Sequence, residues 1–314
     1  MEFLPFAFCE SVCQTLDNRE QQKLQMMLSK FWKEAAAETS DRRVNVALNI
    51  SYRAFRPWEN IEEAWMYDLK VLDELNQPKN SITFNELQKL NRQHLQVKQV
   101  NMGMCAQLKS SLEEISEIVQ FTIPFLCYTT LQIFPNQNSR IMAWPETIFK
   151  ILSLYQNVTF SSLYCFDTSR VIEEFVINQL EQSTPPAFKL SLSSLQWSEN
   201  VRFAVEEFAI SKPFAGLAFY EAFMFSRAFF ERLFEKPTSR SGFSGQFSFD
   251  FTELQGFKVE FQDAAEGALL PTEWTDVRGK TVTYQNIVWR RVDGVQVTAT
   301  CMDKGHWSIR WSTY

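Results

Sequence analysis

The sequence predicts a mixed α/β chain: an N-terminal module of short helices, a βα solenoid of the leucine-rich-repeat kind, and a C-terminal antiparallel β cap. Three observations carry this. Short alternating runs recur at a near-constant interval from about residue 95, helical periodicity fills the gaps between them, and the last stretch changes to hairpin-forming strands. The boundaries read from these changes are 1–40 for the helical module, 41–94 for an irregular capping repeat, 95–275 for the solenoid and 276–314 for the β-meander cap.

The first 35 residues contain Leu4-Pro5 and then an apolar stripe at Phe8, Val12 and Leu16, spaced as one face of a helix. Asp17 and Asn18 break the stripe and can cap a following helix. Leu24, Met27, Leu28 and Phe31 form a second stripe, with Trp32 beside it, so two short helices meeting at a tight turn are expected. The stretch does not read as a secretory leader. It has no basic n-region, Glu2 and Glu10 flank the apolar run, and no small-residue cleavage site follows.

In the next segment Val44, Val46, Leu48 and Ile50 alternate as a strand. ENIEEAWMYDLKVLDEL then carries a helical apolar stripe with acids in its first turns, where the helix dipole favours them. From residue 95 the strands are expected near LQVKQVNMGM, TTLQIF, NVTFSSL, AFKLSLSSL, FAGLAFY and GQFSFDF. One apolar position from each gives Met102, Leu131, Phe160, Leu190, Phe219 and Phe249, separated by 29 or 30 residues. Ile148-Ile151-Leu152-Tyr155, Val171-Phe175-Val176-Leu180, Val201-Val205-Phe208 and Phe225-Phe229-Leu233 are the helical stretches between them. Such a period marks units that bury their apolar faces only against neighbours. A closed (β/α)8 barrel shares the rhythm but needs eight units, and about six are present, with short βα junctions. At the end of the chain, KTVTYQNIVWRR, VDGVQVTATCM and DKGHWSIRW read as three strands joined at Asp293-Gly294 and Lys304-Gly305. Their expected role is to cap the open edge of the repeat sheet.

Strand alternation singles out Gln132, Ser161, Ser191, Tyr220 and Asp250 as a row pointing away from the packed helices, where an extended partner would bind. Ordinary solvated strand residues would follow the same pattern.

Composition limits the chemistry. With 29 Phe against 9 Gly the chain suits bulky packed layers more than glycine-rich catalytic loops, and no GxGxxG, P-loop, GxSxG or HExxH run occurs. The pairs Glu62-Glu63, Glu113-Glu114, Glu173-Glu174 and Glu206-Glu207 fall in helical stretches and read as solvated outer faces. The two histidines, His94 and His306, are isolated, and Cys9, Cys13, Cys105, Cys127, Cys165 and Cys301 are scattered in apolar surroundings. Neither a catalytic residue nor a metal ligand nor a cofactor is expected, and the thiols read as reduced, in a cytoplasmic or nuclear protein. A net charge of −6 without a basic stripe argues against nucleic acid, and no run approaches the ~20 apolar residues of a membrane span.

The Leu4-Pro5 start, the apolar helix, the Leu16-Asp17 turn, the second apolar helix and Trp32 together resemble the F-box. The match covers about 35 residues. Ala7 stands where the family often has Glu, and Leu28-Ser29 where it has Val-Cys. With repeats behind it, the chain most resembles the divergent F-box-like and F-box-associated proteins of nematodes. The resemblance implies a substrate-recruiting adaptor that docks on a Skp-family linker protein and, through it, a cullin-RING ubiquitin ligase. Leu4, Pro5, Phe8, Val12, Leu16, Leu28, Phe31 and Trp32 would bind the linker, and the repeat face a protein substrate. A repeat scaffold that binds a protein without the ubiquitin machinery is the alternative.

Overall fold

The computed structural model describes residues 6–16, 18–26, 30–53, 64–104, 106–135, 144, 147–182, 188–193, 196–220, 223–235, 242–247, 261–264, 272–275, 281–291, 295–301 and 306–313. The chain is mixed α/β and divides into two compact units, Met1–Ser162 and Leu163–Tyr314.

In the first unit, helices α1 (Phe6–Thr15), α2 (Asn18–Gln25) and α3 (Lys30–Arg42) precede a mixed sheet. The strands are β1 (Val44–Arg53), β2 (Ala64–Leu72), β3 (Pro78–Ile82), β4 (Leu95–Met102), β5 (Leu108–Ser110) and β6 (Leu126–Ile133), with α4 (Phe84–Lys89), α5 (Leu112–Thr122) and α6 (Ile148–Leu154) between or after them. β1, β4 and β6 run parallel, while β2 pairs antiparallel with β1, β3 and β5. Leu48, Val100 and Leu131 meet in register and are fully buried, as are Ile115, Ile118 and Val119 of α5. Gly103 ends β4 at φ +92°, and a Cβ there would lie 2.6 Å from the Phe134 carbonyl oxygen, so this turn needs glycine.

Two expectations for this unit change. The stretch around Trp65–Leu72 is strand β2, not helix, and pairs with β1 from Asn45–Leu72 to Arg53–Ala64. Trp65, Met66, Tyr67, Asp68 and Leu69 are all buried. A strand covered on both faces loses the alternation that distinguishes it from a helix. The N-terminal module holds three helices where two were expected, because the second stripe is split between α2 and α3. α3 runs through Ala35-Ala36-Ala37, and alanine favours helix without adding the bulky residues a stripe is read from.

The second unit contains β7 (Ser162–Cys165), α7 (Arg170–Glu181), β8 (Lys189–Ser193), α8 (Glu199–Ser211), β9 (Gly216–Tyr220), β10 (Met224–Phe225), α9 (Arg227–Glu235) and β11 (Gly242–Phe247). It continues with β12 (Phe261–Ala264), β13 (Thr272–Thr275), β14 (Thr281–Arg291), β15 (Val295–Cys301) and β16 (His306–Thr313). The strand order is β7-β8-β9-β11-β16-β15-β14-β12, with β10 on β11 and β13 on β14. β8, β9 and β11 are parallel, and β16 closes their edge antiparallel to β11. This order is open, so the strands form no closed barrel. The final three strands form the meander expected from the sequence, while the Asp293-Gly294 and Lys304-Gly305 turns lie outside the described residues, as does Phe249.

Phenylalanine joins the strands to the helices here. Leu190, Leu192, Leu217, Phe219 and Phe243 face the helices and are buried, while Phe208 of α8 meets Phe188 with ring centroids 5.5 Å apart. Phe225 touches Phe219, Phe229 and Phe243 with centroid separations of 5.4, 4.8 and 5.2 Å. Gly245 lies against this cluster, where an added Cβ would come within 2.9 Å of the Phe225 ring. Polar ties join the helices in sequence. Glu173 of α7 accepts the Ser198 backbone N–H at 2.7 Å at the start of α8, and Arg232 of α9 donates to Glu207 of α8 at 2.8 Å. These acids were expected to be only solvated, whereas they link neighbouring helices. Lys212 donates to the Leu180, Glu181 and Gln182 carbonyls at 2.6, 2.9 and 2.5 Å, satisfying the orphan acceptors at the end of α7.

Phe225→Ala is expected to cost about 3–5 kcal/mol of stability and Gly245→Ala about 1–3 kcal/mol. Urea unfolding checks both, and a Gly245→Ala midpoint equal to the parent's would mean that the ring gives way freely.

Candidate functional site

Two surfaces carry the residues selected from the sequence, one in each unit. In the first unit, the three-helix bundle is held by one carbonyl. The Cys13 oxygen, in the last turn of α1, accepts from Gln21 Nε2 of α2 at 2.5 Å and from Arg43 Nη2, just after α3, at 3.0 Å. This helix-end acceptor, which also takes the Leu16 N–H at 3.3 Å, thereby ties all three helices. The bundle is also anchored to its sheet, because Gln96 Nε2 donates to the Gln14 carbonyl at 2.8 Å and the Tyr128 hydroxyl to Glu20 at 3.2 Å.

The core of this bundle is made of small residues: Cys9, Cys13, Ala35 and Ala36, with Phe6, Leu24 and Trp32 packed partly against them. Small side chains bring the helices close and leave no room for further rings. Phe8 is 48% exposed and Phe31 43% exposed, and Phe8 lies edge-on to Trp32 with centroids 6.5 Å apart. Of the expected linker-binding residues, the structure therefore puts Phe8 and Trp32 together, with Val12 and Leu16 half-buried. Leu4, Pro5, Asp17 and Leu28 lie outside the described residues.

The expected partner row divides between the units. Gln132 pairs with Asn101 on β4, which pairs with Asn49 on β1 and that with Asp68 on β2, forming a polar row across the first unit's sheet. Asn101 Nδ2 donates to Asn49 Oδ1 at 2.8 Å, and Lys70 Nζ lies 3.2 Å from Asp68. Ser161 precedes β7, and its amide and hydroxyl both donate to the Thr129 carbonyl, at 3.0 and 3.1 Å, so it serves the fold. Asp250 lies outside the described residues.

Ser191 and Tyr220 share one face of the second unit. Ser191 pairs with Ala218, however, and Tyr220 with Ser193, so the two are two residues out of register. The 29-residue spacing measured the repeat, whereas the pairing register also depends on the loops. This face holds an open trough of about 240 Å³, lined by Tyr164, Ser191, Tyr220 and residues of β8, β9, β11 and β16. Across its floor Lys189 pairs with Gly216, and Gly242 with Arg310. The Leu217–Phe243 pairing places the two glycines side by side between the two cations. The next row is Ser191, Ala218, Ser244 and Ser308. Sequence reasoning missed the glycines, Lys189 and Arg310. A glycine opening each of two alternating runs was the available signal, but only the observed pairing puts them beside the cations.

Burial is the first cause of the raised thiols and of the raised Asp167, while hydrogen bonds from Thr83 lower the exposed Glu86. Desolvation, and then the neighbouring Cys9, raises the Cys13 thiol, and burial, with Asp167 nearby, pushes Cys165 far above the usual thiol range. Burial raises Asp167 against the opposing backbone N–H groups of Ser169 and Thr168. Among the described residues no three His, Cys, Asp or Glu side chains are grouped to hold a metal, and no helix is long and apolar enough to cross a membrane. Compared with known proteins, the chain matches no family model, no curated protein and no solved structure.

Removing one donor to the shared Cys13 carbonyl with Arg43→Leu is expected to raise amide hydrogen exchange in α1 and α2 about tenfold while β8 and β9 keep their protection. Exchange followed by mass spectrometry checks this, and unchanged α1 rates would show that Gln21 alone suffices.

Proposed function

We propose that the chain is a non-enzymatic protein-interaction adaptor, with an F-box-like bundle that docks on a Skp-family linker protein and a repeat face that holds a protein substrate. In this reading it is the substrate-recruiting subunit of a cullin-RING ubiquitin ligase in the cytoplasm or nucleus. The observation that supports it best is the placement of Phe8, Phe31 and Trp32. A bundle whose core is cysteine and alanine leaves two phenylalanines at its surface beside a half-buried tryptophan. Large exposed aromatic patches are costly in water and are a common feature of protein interfaces. Helix-face docking depends on a few such side chains desolvated together.

The bundle's attachment to its sheet through Gln96 and Tyr128 suits the same role, since it fixes the bundle while Phe8 and Phe31 stay exposed. On the βα part, an open face of small and polar residues supplies the complementary surface for a substrate.

The test is co-capture of a Skp-family protein and a cullin by the intact chain and by a Phe8→Ser/Phe31→Ser variant. Both substitutions are at exposed positions, so the fold should survive, as circular dichroism would check. Loss of both proteins with the variant is the expected result. Their absence with the intact chain would replace this reading by a repeat scaffold that binds a protein without ubiquitin-ligase linkage.

A further inference from the structure

We propose that the trough on β8, β9, β11 and β16 binds an acidic, extended segment of a partner protein, its carboxylates held by Lys189 and Arg310 and its backbone lying against Gly216 and Gly242. The inference deepens the adaptor reading and rests on it only in taking a protein as the occupant.

The glycines are the first ground. Glycine inside a strand weakens it, and it is retained where a bulge, a positive φ or a close approach of other atoms requires it. Gly103 and Gly245 have such reasons within the fold. Gly216 and Gly242 have none of these among the described residues. Both lie in regular pairing and outside the left-handed region, and among the described residues added Cβ atoms would meet nothing nearer than Lys189 Cγ at 4.0 Å and the Ile309 carbonyl at 3.7 Å. The room they leave opens into the trough. Bare backbone there suits the close approach of another chain.

Charge is the second ground. Among the described residues the trough lining includes Lys189 and Arg310 and no Asp or Glu. Both cations are exposed, and neither forms an ion pair among the described residues. They stand about 14 Å apart by strand spacing, across the two glycines. On a chain of net charge −6, this is a local reversal of sign that favours an anionic occupant.

Ser191 is the third. It is only 6% exposed and lines the trough. Its hydroxyl can donate to or accept from a chain lying in the trough. Ser244 and Ser308 stand in the same row. The trough, at about 240 Å³, is smaller than a usual small-molecule pocket, which suits a chain lying across it. Two cations are too few for the phosphate contacts that hold a nucleic acid strand.

The test uses the full chain and fluorescence anisotropy with a labelled, end-blocked peptide rich in Asp and Glu, its Asn/Gln twin, and oligo-dT. The acidic peptide should bind at least about tenfold more tightly than its twin, and more weakly as salt rises. Lys189→Gln and Arg310→Gln should each weaken it by about tenfold. Gly216→Leu, which fills the trough where the structure is open, should abolish it with the melting temperature retained. The Phe8→Ser/Phe31→Ser variant should bind the peptide like the parent, which separates this inference from the docking of the bundle. Equal binding of the twin, no binding of either peptide, tighter binding of oligo-dT, or undiminished binding by both Gly216→Leu and the Lys189→Gln/Arg310→Gln double variant would overturn it.

Discussion

The aromatic layer between strands and helices is the interaction on which the second unit depends. Phe219 and Phe243 point from β9 and β11 into rings carried by Phe225 and Phe229, and Phe188 meets Phe208 of α8. Each ring removes a large apolar area from water, and edge-on or tilted contacts add to that gain. Because side chains alternate along a strand, committing Leu217, Phe219 and Phe243 to this layer also commits Gly216, Ala218 and Ser244 to the other face. The open face is thus a consequence of the core.

Parallel strands are usually covered on both faces, and their sequences are then apolar throughout. β8, β9 and β11 differ, with apolar residues on one side and glycine, serine and alanine on the other. β16 ends the parallel run by pairing antiparallel with β11, and through Ser308 and Arg310 it widens the same face. An element that covers an exposed sheet edge here also contributes to the candidate binding surface. In the first unit a different constraint applies, since a cysteine–alanine core sets how closely the helices approach and leaves Phe8 and Phe31 at the surface.

Much of this was legible from residue order. The 29–30-residue interval located β4, β6, β8 and β9 and most of the helical stretches, because strand and helix in each repeat bury residues at fixed phases. Residues Met102, Leu131, Leu190 and Phe219 are buried as that phase requires. What escaped was set by pairing. β2 looked helical because both its faces are covered, and α3 was merged with its neighbour because its core residues are alanines. Tyr220 was aligned with Ser191 by spacing, while the ladder aligns it with Ser193. The Lys189–Gly216 and Gly242–Arg310 pairs are contacts between different strands, which no one-dimensional period encodes.

The interaction role is tested most directly by hydroxyl-radical footprinting of the free chain and of the complex isolated from its native source. Phe8, Phe31 and Tyr220 are exposed aromatic rings in the free chain, with Tyr220 at 52% exposure, and each should be oxidised readily in that state. Protection of Phe8 and Phe31 together with Tyr220 in the complex is the expected result, since both surfaces would then be covered by protein. Oxidation of all three at the same rate in the complex as in the free chain would contradict it.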